Sequence, residues 1–334
     1  MEDKVKGIIY GHALGDALGA PVEFFPFGHY TGLLDTPITR YTRNYGKQIS
    51  VIGQVTDDTE LALTLFNTIK DGYTKEKAVI NYMLWVNNKF EGCKGNAPWM
   101  GNNTRKLFVA PSPKYKLYES RFKKHYTTEE SKEQSQSNGA LMRCYPLAFT
   151  EDDSIIETDV YITNPSKLVY NAVYTYITAI RMAIKNKSKK TIQKKIKELI
   201  EFDELKIAYE QACTNTFRDV TINKGHIVNA YYCAFWGLFQ FNNYKDAIDA
   251  IICLSPIQNE PAKIAVKGKW KKTEIIVGDT DTNAAITGAL LGAFYGYNKM
   301  VENEVTKTNI KIMLEADTTK GDFVRAPQYK LPIL

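Results

Sequence analysis

Apolar residues recur at helical spacing along most of the chain and almost nowhere in the strict alternation of a half-buried strand. Between Val5 and Gly19, residues Ile8, Ile9, Ala13, Leu14, Ala17 and Leu18 surround a row of glycines, with His12 and Asp16 as the polar interruptions. This pattern predicts a helix near 5–19. Similar periods predict helices over 58–70, 75–88, 166–186, 204–214, 226–240, 246–254 and 283–297, and a short one from Thr104. Ser137 to Arg143 enters an apolar helix that Pro146 breaks. Residues 27–54 and 92–103 are turn-rich and read as irregular; 111–136 read as a charged, solvated connection or lid. Residues 256–274 look like a polar, basic insertion ahead of the short apolar run Ile275, Ile276, Val277. The expectation is one all-α domain over 1–334, with its core at about 5–297 and a C-terminal tail at 298–334.

Two glycine rows stand out. Gly7, Gly11, Gly15 and Gly19 fall every four residues, as do Ala284, Gly288, Gly292 and Gly296. Residues four apart form a ridge on a helix, and each interior glycine costs about 1 kcal/mol relative to alanine. Close backbone approach to another helix is the usual compensation. The two rows predict that the helices near 5–19 and 283–297 are neighbours in the core; the alternative is a different partner for each.

Composition narrows the class. Hydrophobic residues at 44% and charged residues at 24% of 334 describe an ordinary globular chain. No apolar run approaches the roughly 20 residues needed to span a bilayer. The start, Met-Glu-Asp-Lys, lacks the basic n-region and apolar core of a signal peptide. Five cysteines without CxxC spacing read as reduced thiols, so a cytoplasmic location is expected. A net charge of +6, from 43 basic and 37 acidic residues, suits an anionic substrate but is no nucleic-acid signature. The lysines of 185–197 are spaced around Ile192, Ile196, Leu199 and Ile200, which describes a solvated amphipathic helix rather than an RNA-binding surface. There is no Walker P-loop, GxGxxG after a strand, HExxH or GxSxG.

The candidate chemistry lies at two helix starts. Thr56, Asp57, Asp58, Thr59 and Glu60 lead into an apolar helix, and Gly278 to Asn283 (GDTDTN) leads into another. Each could be N-capping: Asp57 with Glu60 would make a capping box, and Asp281 or Thr282 could cap the later helix. The pair argues otherwise. Both helices are apolar enough to be buried, and four carboxylates in one interior would repel and be desolvated without a compensating cation. Oxygen-only donors select a hard divalent ion, Mg²⁺ or Mn²⁺ before Ca²⁺. Glu23, among apolar neighbours, is either an acid/base candidate or a salt-bridged structural residue. Ser137, Asn138 and Gly139 could offer backbone N–H groups to a phosphate at a helix start.

Five blocks occur in an order that resembles the ADP-ribosylglycohydrolase family: GHALGDALGAPVE from Gly11 to Glu23, VTDDT from Val55 to Thr59, GNNT from Gly101 to Thr104, SNGALMR from Ser137 to Arg143, and GDTDTNA from Gly278 to Ala284. The resemblance implies an all-helical domain with two Mg²⁺ or Mn²⁺ ions, held by Thr56, Asp57, Asp58, Asp279, Asp281 and Thr282. It implies a gating or acid/base role for Glu23, with Asp58 and Asp281 as further catalytic carboxylates. Gly101, Ser137, Asn138, Gly139 and Asn164 would face ADP-ribose. The implied reaction is hydrolysis of the bond between ribose C1″ and a modified protein side chain. Two departures are visible. Asn164 stands where family members often carry His, and 256–274 fits the family pattern poorly. Both leave open a second reading, a catalytically weak or inactive ADP-ribose-binding protein.

Overall fold

A computed structural model describes residues 1–23, 51–87, 99–253, 278–317 and 331. The readings of 27–50, of 92–98, of the 256–274 insertion and of the run 275–277 lie outside the described residues. The all-α expectation holds: among the described residues there are helices and no strand, with isolated bridge residues such as the pair Ser137 and His226. None of the described helices is long and apolar enough to cross a membrane.

The centre is a pair of almost wholly buried helices, α1 (Glu2–Gly19) and a late helix Thr280–Tyr295. A Cβ placed on Gly7 would strike the Gly292 carbonyl, on Gly11 the Gly288 carbonyl, on Gly15 that of Ala284, and on Gly19 the Asp281 backbone. The two ridges therefore meet, as the glycine spacing predicts. The pairing runs antiparallel, because partners fall in number on one helix as they rise on the other. The C-terminal end of α1, with the 3-10 turn Ala20–Val22 and Glu23 after it, lies beside the N-terminal start of the late helix. Thr280 Oγ1 clasps the two by donating to the Gly19 carbonyl at 2.8 Å.

Around this pair the chain winds through α2 (Asp57–Lys70), α3 (Lys75–Val86), α4 (Asn102–Phe108), α5 (Tyr115–His125), α6 (Glu129–Glu133) and α7 (Gly139–Met142). It continues through α8 (Ser154–Thr163), α9 (Lys167–Ile184), α10 (Lys189–Leu199), α11 (Asp203–Cys213), α12 (Ile227–Gln240) and α13 (Tyr244–Ile252). The late helix is thus α14, and it is followed by α15 (Tyr297–Met300) and α16 (Glu304–Glu315). Helices α9, α12 and α13 pack on α14, while α2, α15 and α16 pack on α1. In α10, Ile192 and Ile196 are buried while Lys190, Lys194, Lys195 and Lys197 are exposed, as an amphipathic helix requires.

Three stretches differ from the sequence reading. Residues 111–136 carry α5 and α6 rather than an unstructured connection, anchored by Tyr118, which is buried and donates from its hydroxyl to the Ile162 carbonyl. The helical period there is written in aromatics (Tyr115, Tyr118, Phe122, Tyr126) and hidden among charges. The segment entering at Ser137 is only the four-residue α7 and then a 3-10 turn, Tyr145–Phe149, with Pro146 in its first turn. Within 298–317, α16 packs on α1 instead of trailing away.

A buried ion pair ties α7 to α8. Arg143 Nη2 lies 3.1 Å from Asp159 Oδ2, and the guanidinium also donates to the Gly139 carbonyl, Thr163 Oγ1 and the Asp159 carbonyl. Tyr82 donates to Asp159 Oδ1 at 2.8 Å. Removing one partner strands the other charge in the interior, at a cost of about 3–5 kcal/mol. Asp159→Ala is therefore expected to lower the unfolding free energy by about that amount, read by urea denaturation, with Arg143→Met no worse.

Candidate metal centre

The N-terminus of α2 comes down on α1 at Asp16, so three element ends converge: the end of α1, the start of α2 and the start of α14. The carboxylates of Asp16, Asp58 and Asp281 bring oxygens within 4.8 Å of one another, and so do those of Glu23, Asp279 and Asp281. All five residues are buried. Asp57 belongs to the same field, since Asp16, Glu23 and Asp279 all act on its charge. Thr56 and Thr282 are buried beside their aspartates. The two acidic stretches, 221 positions apart if counted from Asp58 to Asp279, thus form one centre.

Local capping does not account for them. Thr56 is the N-cap of α2, yet its side chain accepts no cap hydrogen bond, and Glu60 accepts from Trp85 Nε1 at 2.7 Å instead of closing a capping box. Asp279 is the N-cap of α14, also without a cap bond; its Oδ2 accepts from Asn138 Nδ2 at 2.8 Å. Asp281 Oδ1 does take a local amide, Thr282 N–H at 2.9 Å.

Burial, reinforced by mutual repulsion, pushes the Asp57, Asp58 and Asp281 carboxyls well above the ordinary range. Burial pushes Asp16 up to about 6 against the pull of hydrogen bonds from Thr56 and Thr59. So much buried acid fits a cation, and one atom asks for it directly: Asp58 Oδ1 is buried and accepts no hydrogen bond. With donors that are all oxygen, the cluster could hold a hard divalent metal.

The other candidate residues lie alongside. Asn138, the N-cap of α7, is fixed by its own N–H on the Gly225 carbonyl at 2.8 Å while its amide reaches Asp279. Asn164 is fully buried; its Nδ2 donates to Ser137 Oγ at 2.9 Å and to the Ser135 carbonyl at 3.0 Å, and its Oδ1 accepts from Thr163 Oγ1. Its side chain is thus committed to the loop that carries Ser137 to Gly139. Asn103 Nδ2 joins α4, capped by Gly101, to Ser135 and Ser137. Gly101 is exposed, and a Cβ there would meet nothing within 4 Å.

The sequence reading missed Asp16 as part of this centre. Its signal was present, an acid among apolar residues in the last turn of α1, but its partners Thr56 and Thr59 lie 40 and 43 positions away. His12 is likewise buried, with Nε2 2.7 Å from the Met142 carbonyl, and burial lowers its pKa to about 4. The neutral ring is a packing element beneath the site. Asn138→Ala removes the hydrogen bond that orients Asp279. Losing such an outer partner of a ligand typically costs 10–100-fold in metal affinity, and Mn²⁺ titration calorimetry is expected to show a loss in that range with the fold intact.

An all-helical fold whose central helix pair gathers a buried cluster of carboxylates that could hold a metal ion defines the class of protein. The chain belongs to the ADP-ribosylglycohydrolase family, whose family model matches residues 1–309. It is 25% identical over 323 residues to the ADP-ribosyl-[dinitrogen reductase] glycohydrolase of Rhodospirillum rubrum, covering 94% of this chain and 93% of the relative. It is 23% identical over 315 residues to the ADP-ribosylarginine hydrolase Tri1 of Pseudomonas putida (strain GB-1), covering 91% of this chain and 74% of that one. Among solved structures, an ADP-ribosylglycohydrolase-related protein complex superposes with a TM-score of 0.64 at 18% identity, over 95% of this chain and 99% of that chain, which establishes the shared fold.

Proposed function

We propose that this protein is a metal-dependent hydrolase that removes ADP-ribose from modified protein side chains by cleaving the glycosidic bond at ribose C1″. The observation that carries the reading is the orphaned, buried Asp58 Oδ1 inside a ring of carboxylates from both ends of the chain. Family membership and the names of the relatives above supply the substrate class.

Thr56, Asp57, Asp58, Asp279, Asp281 and Thr282 would hold two Mg²⁺ or Mn²⁺ ions, which when bound would orient ribose hydroxyls and activate a water. Glu23, at the exit of the 3-10 turn and grouped with Asp279 and Asp281, would gate the site and give or take a proton. Departure of the leaving group leaves positive character on C1″ and the ring oxygen, and Asp58 and Asp281 provide the negative field that favours it. Gly101 and the Ser137, Asn138, Gly139 loop would cradle diphosphate and ribose. Asn164 serves that loop from behind, so the exchange of an imidazole for an amide at this position changes how the loop is braced.

The test is release of free ADP-ribose from ADP-ribosyl-arginine and ADP-ribosyl-serine proteins with Mg²⁺ or Mn²⁺, compared with the same assay in EDTA. Metal-dependent release supports the proposal. Binding of ADP-ribose without release from either substrate would favour the binding-protein reading.

A further inference from the structure

The helix that carries Asp57 and Asp58 has no cap of its own, yet its first amides are buried and must find acceptors. They find them on another helix. Asp16, in the last turn of α1 and fully buried, accepts four hydrogen bonds from the start of α2. Oδ2 takes Thr56 N–H at 2.9 Å, Thr59 N–H at 3.2 Å and Thr59 Oγ1 at 2.6 Å; Oδ1 takes Thr56 Oγ1 at 2.8 Å. Thr59 occupies the third helical position of α2, whose N–H an N-cap side chain ordinarily satisfies.

We propose that Asp16 is a positioning residue that caps α2 in trans, taking over the N-cap role the Thr56 side chain leaves unfilled and holding Asp57 and Asp58 at the metal centre, rather than being a metal ligand itself. Both of its oxygens are engaged by protein donors, whereas Asp58 Oδ1, in the same trio of carboxylates, has none. Because Gly15, the preceding residue, lies against the Ala284 backbone of α14, the cap also locks α2 to the α1–α14 pair. The acidic start of α2 is thereby held in register with that of α14. This inference rests on the metal-centre reading for its consequence but not for its geometry, and the experiment separates the two.

The experiment compares the full chain with Asp16→Asn and Asp16→Ala, by amide hydrogen exchange at Thr59 without metal and by Mn²⁺ calorimetry. Asparagine can still accept the two amides through its carbonyl oxygen while its NH₂ donates to a threonine hydroxyl; alanine can do neither. The expected result is a loss of Thr59 protection of at least about tenfold in Asp16→Ala and largely restored protection in Asp16→Asn. Mn²⁺ stoichiometry is expected to be unchanged in both, with affinity down about 10–100-fold in Asp16→Ala and less in Asp16→Asn. Loss of a whole equivalent of Mn²⁺ from Asp16→Asn, with Thr59 protection retained, would overturn the proposal by making Asp16 a ligand. Unchanged protection in Asp16→Ala would overturn it as well. If Asp16→Ala does not fold, Asp16→Asn decides by stoichiometry and protection together. If the unmodified protein binds no Mn²⁺, the metal reading fails, and the exchange data still decide whether Asp16 is the cap.

Discussion

Asp281→Ala is expected to abolish divalent-ion binding and turnover while leaving a metal-free protein at least as stable as its parent. Asp281 belongs to both carboxylate groupings of the site, so its removal dismantles the oxygen set on either side. A loss of about 1000-fold in the rate of ADP-ribose release, ~4 kcal/mol of transition-state stabilisation, is the expected scale. Without a cation, however, the same carboxylate is a liability. It is buried among Glu23, Asp279, Asp58 and Asp16, all of which resist its ionisation. Deleting it relieves that repulsion, so the melting temperature in EDTA is expected to hold or rise. The parent is expected to gain stability on adding Mn²⁺, by about 2.7 kcal/mol at a hundredfold excess over the dissociation constant; the variant is expected to gain none. Asp57→Ala should behave alike. A variant that melts much lower in EDTA, or keeps its metal, would show that these aspartates are structural.

The same imbalance has a pH signature in the metal-free parent. A carboxyl whose folded pKa lies above its unfolded value near 4 stabilises the fold while protonated, and that contribution is lost as pH rises through the folded value. Asp16, pushed to about 6, loses it between pH 4 and 6. His12 works in the other direction: lowered to about 4, it destabilises the fold as pH falls below 6.5. At ~1.4 kcal/mol per tenfold change in proton affinity, each effect is about 3 kcal/mol, so the two nearly cancel between pH 4 and 6.5. Asp57, Asp58 and Asp281, raised well above the ordinary range, add a loss without such a counterweight as pH rises above the unfolded value near 4. Stability in EDTA is therefore expected to decline from about pH 4 upward, and saturating Mn²⁺ to flatten or reverse that slope because the ions bind the ionised form. Thermal denaturation across pH with and without metal reads both.

These expectations could be framed early because two signals in the chain are geometric. Glycines every four residues, twice, are costly enough to demand a close helix contact, and that contact is what brings Glu23 to Asp279 and Asp281. Acidic helix starts are ambiguous in sequence, because an aspartate that caps and one that faces a cation occupy the same positions. What decides between them is where the amides of α2 find their acceptor. The answer is Asp16, 43 residues before Thr59, and no local pattern could reveal it. Asn164 illustrates the opposite limit. The resemblance, with Asn164 where family members often carry His, points towards the ligand; that its amide also braces the loop through Ser135 and Ser137 is disclosed only by the packing of α8 against it. The helices within 111–136 went unread because their period is carried by tyrosines and phenylalanine between lysines and arginine, so a window that weighs charge sees only polarity.

Gly288→Ala is expected to be among the most damaging single-methyl changes at the described glycines. On propensity alone it would help, since alanine favours a helix interior over glycine by about 1 kcal/mol. Here the added Cβ would fall on the Gly11 carbonyl and crowd the Tyr244 hydroxyl at 3.1 Å, where Tyr244 already donates to that same carbonyl at 2.6 Å. Neither neighbour can rotate away: one is backbone of a buried helix, the other a buried ring held by its own hydrogen bond. The helices must part, and overpacking of this kind costs about 3 kcal/mol or more when backbone has to move. Parting α1 from α14 also separates the Glu23 end from the Asp279 and Asp281 start, so metal affinity is expected to fall together with stability, although residue 288 lies two helical turns from Asp281. Gly101→Ala, where a Cβ meets open space, is the control and is expected to change unfolding free energy by no more than about 0.5 kcal/mol. If Gly288→Ala melts like its parent and titrates Mn²⁺ normally, the two glycine ridges are not in contact, and the convergence that builds the centre has another cause.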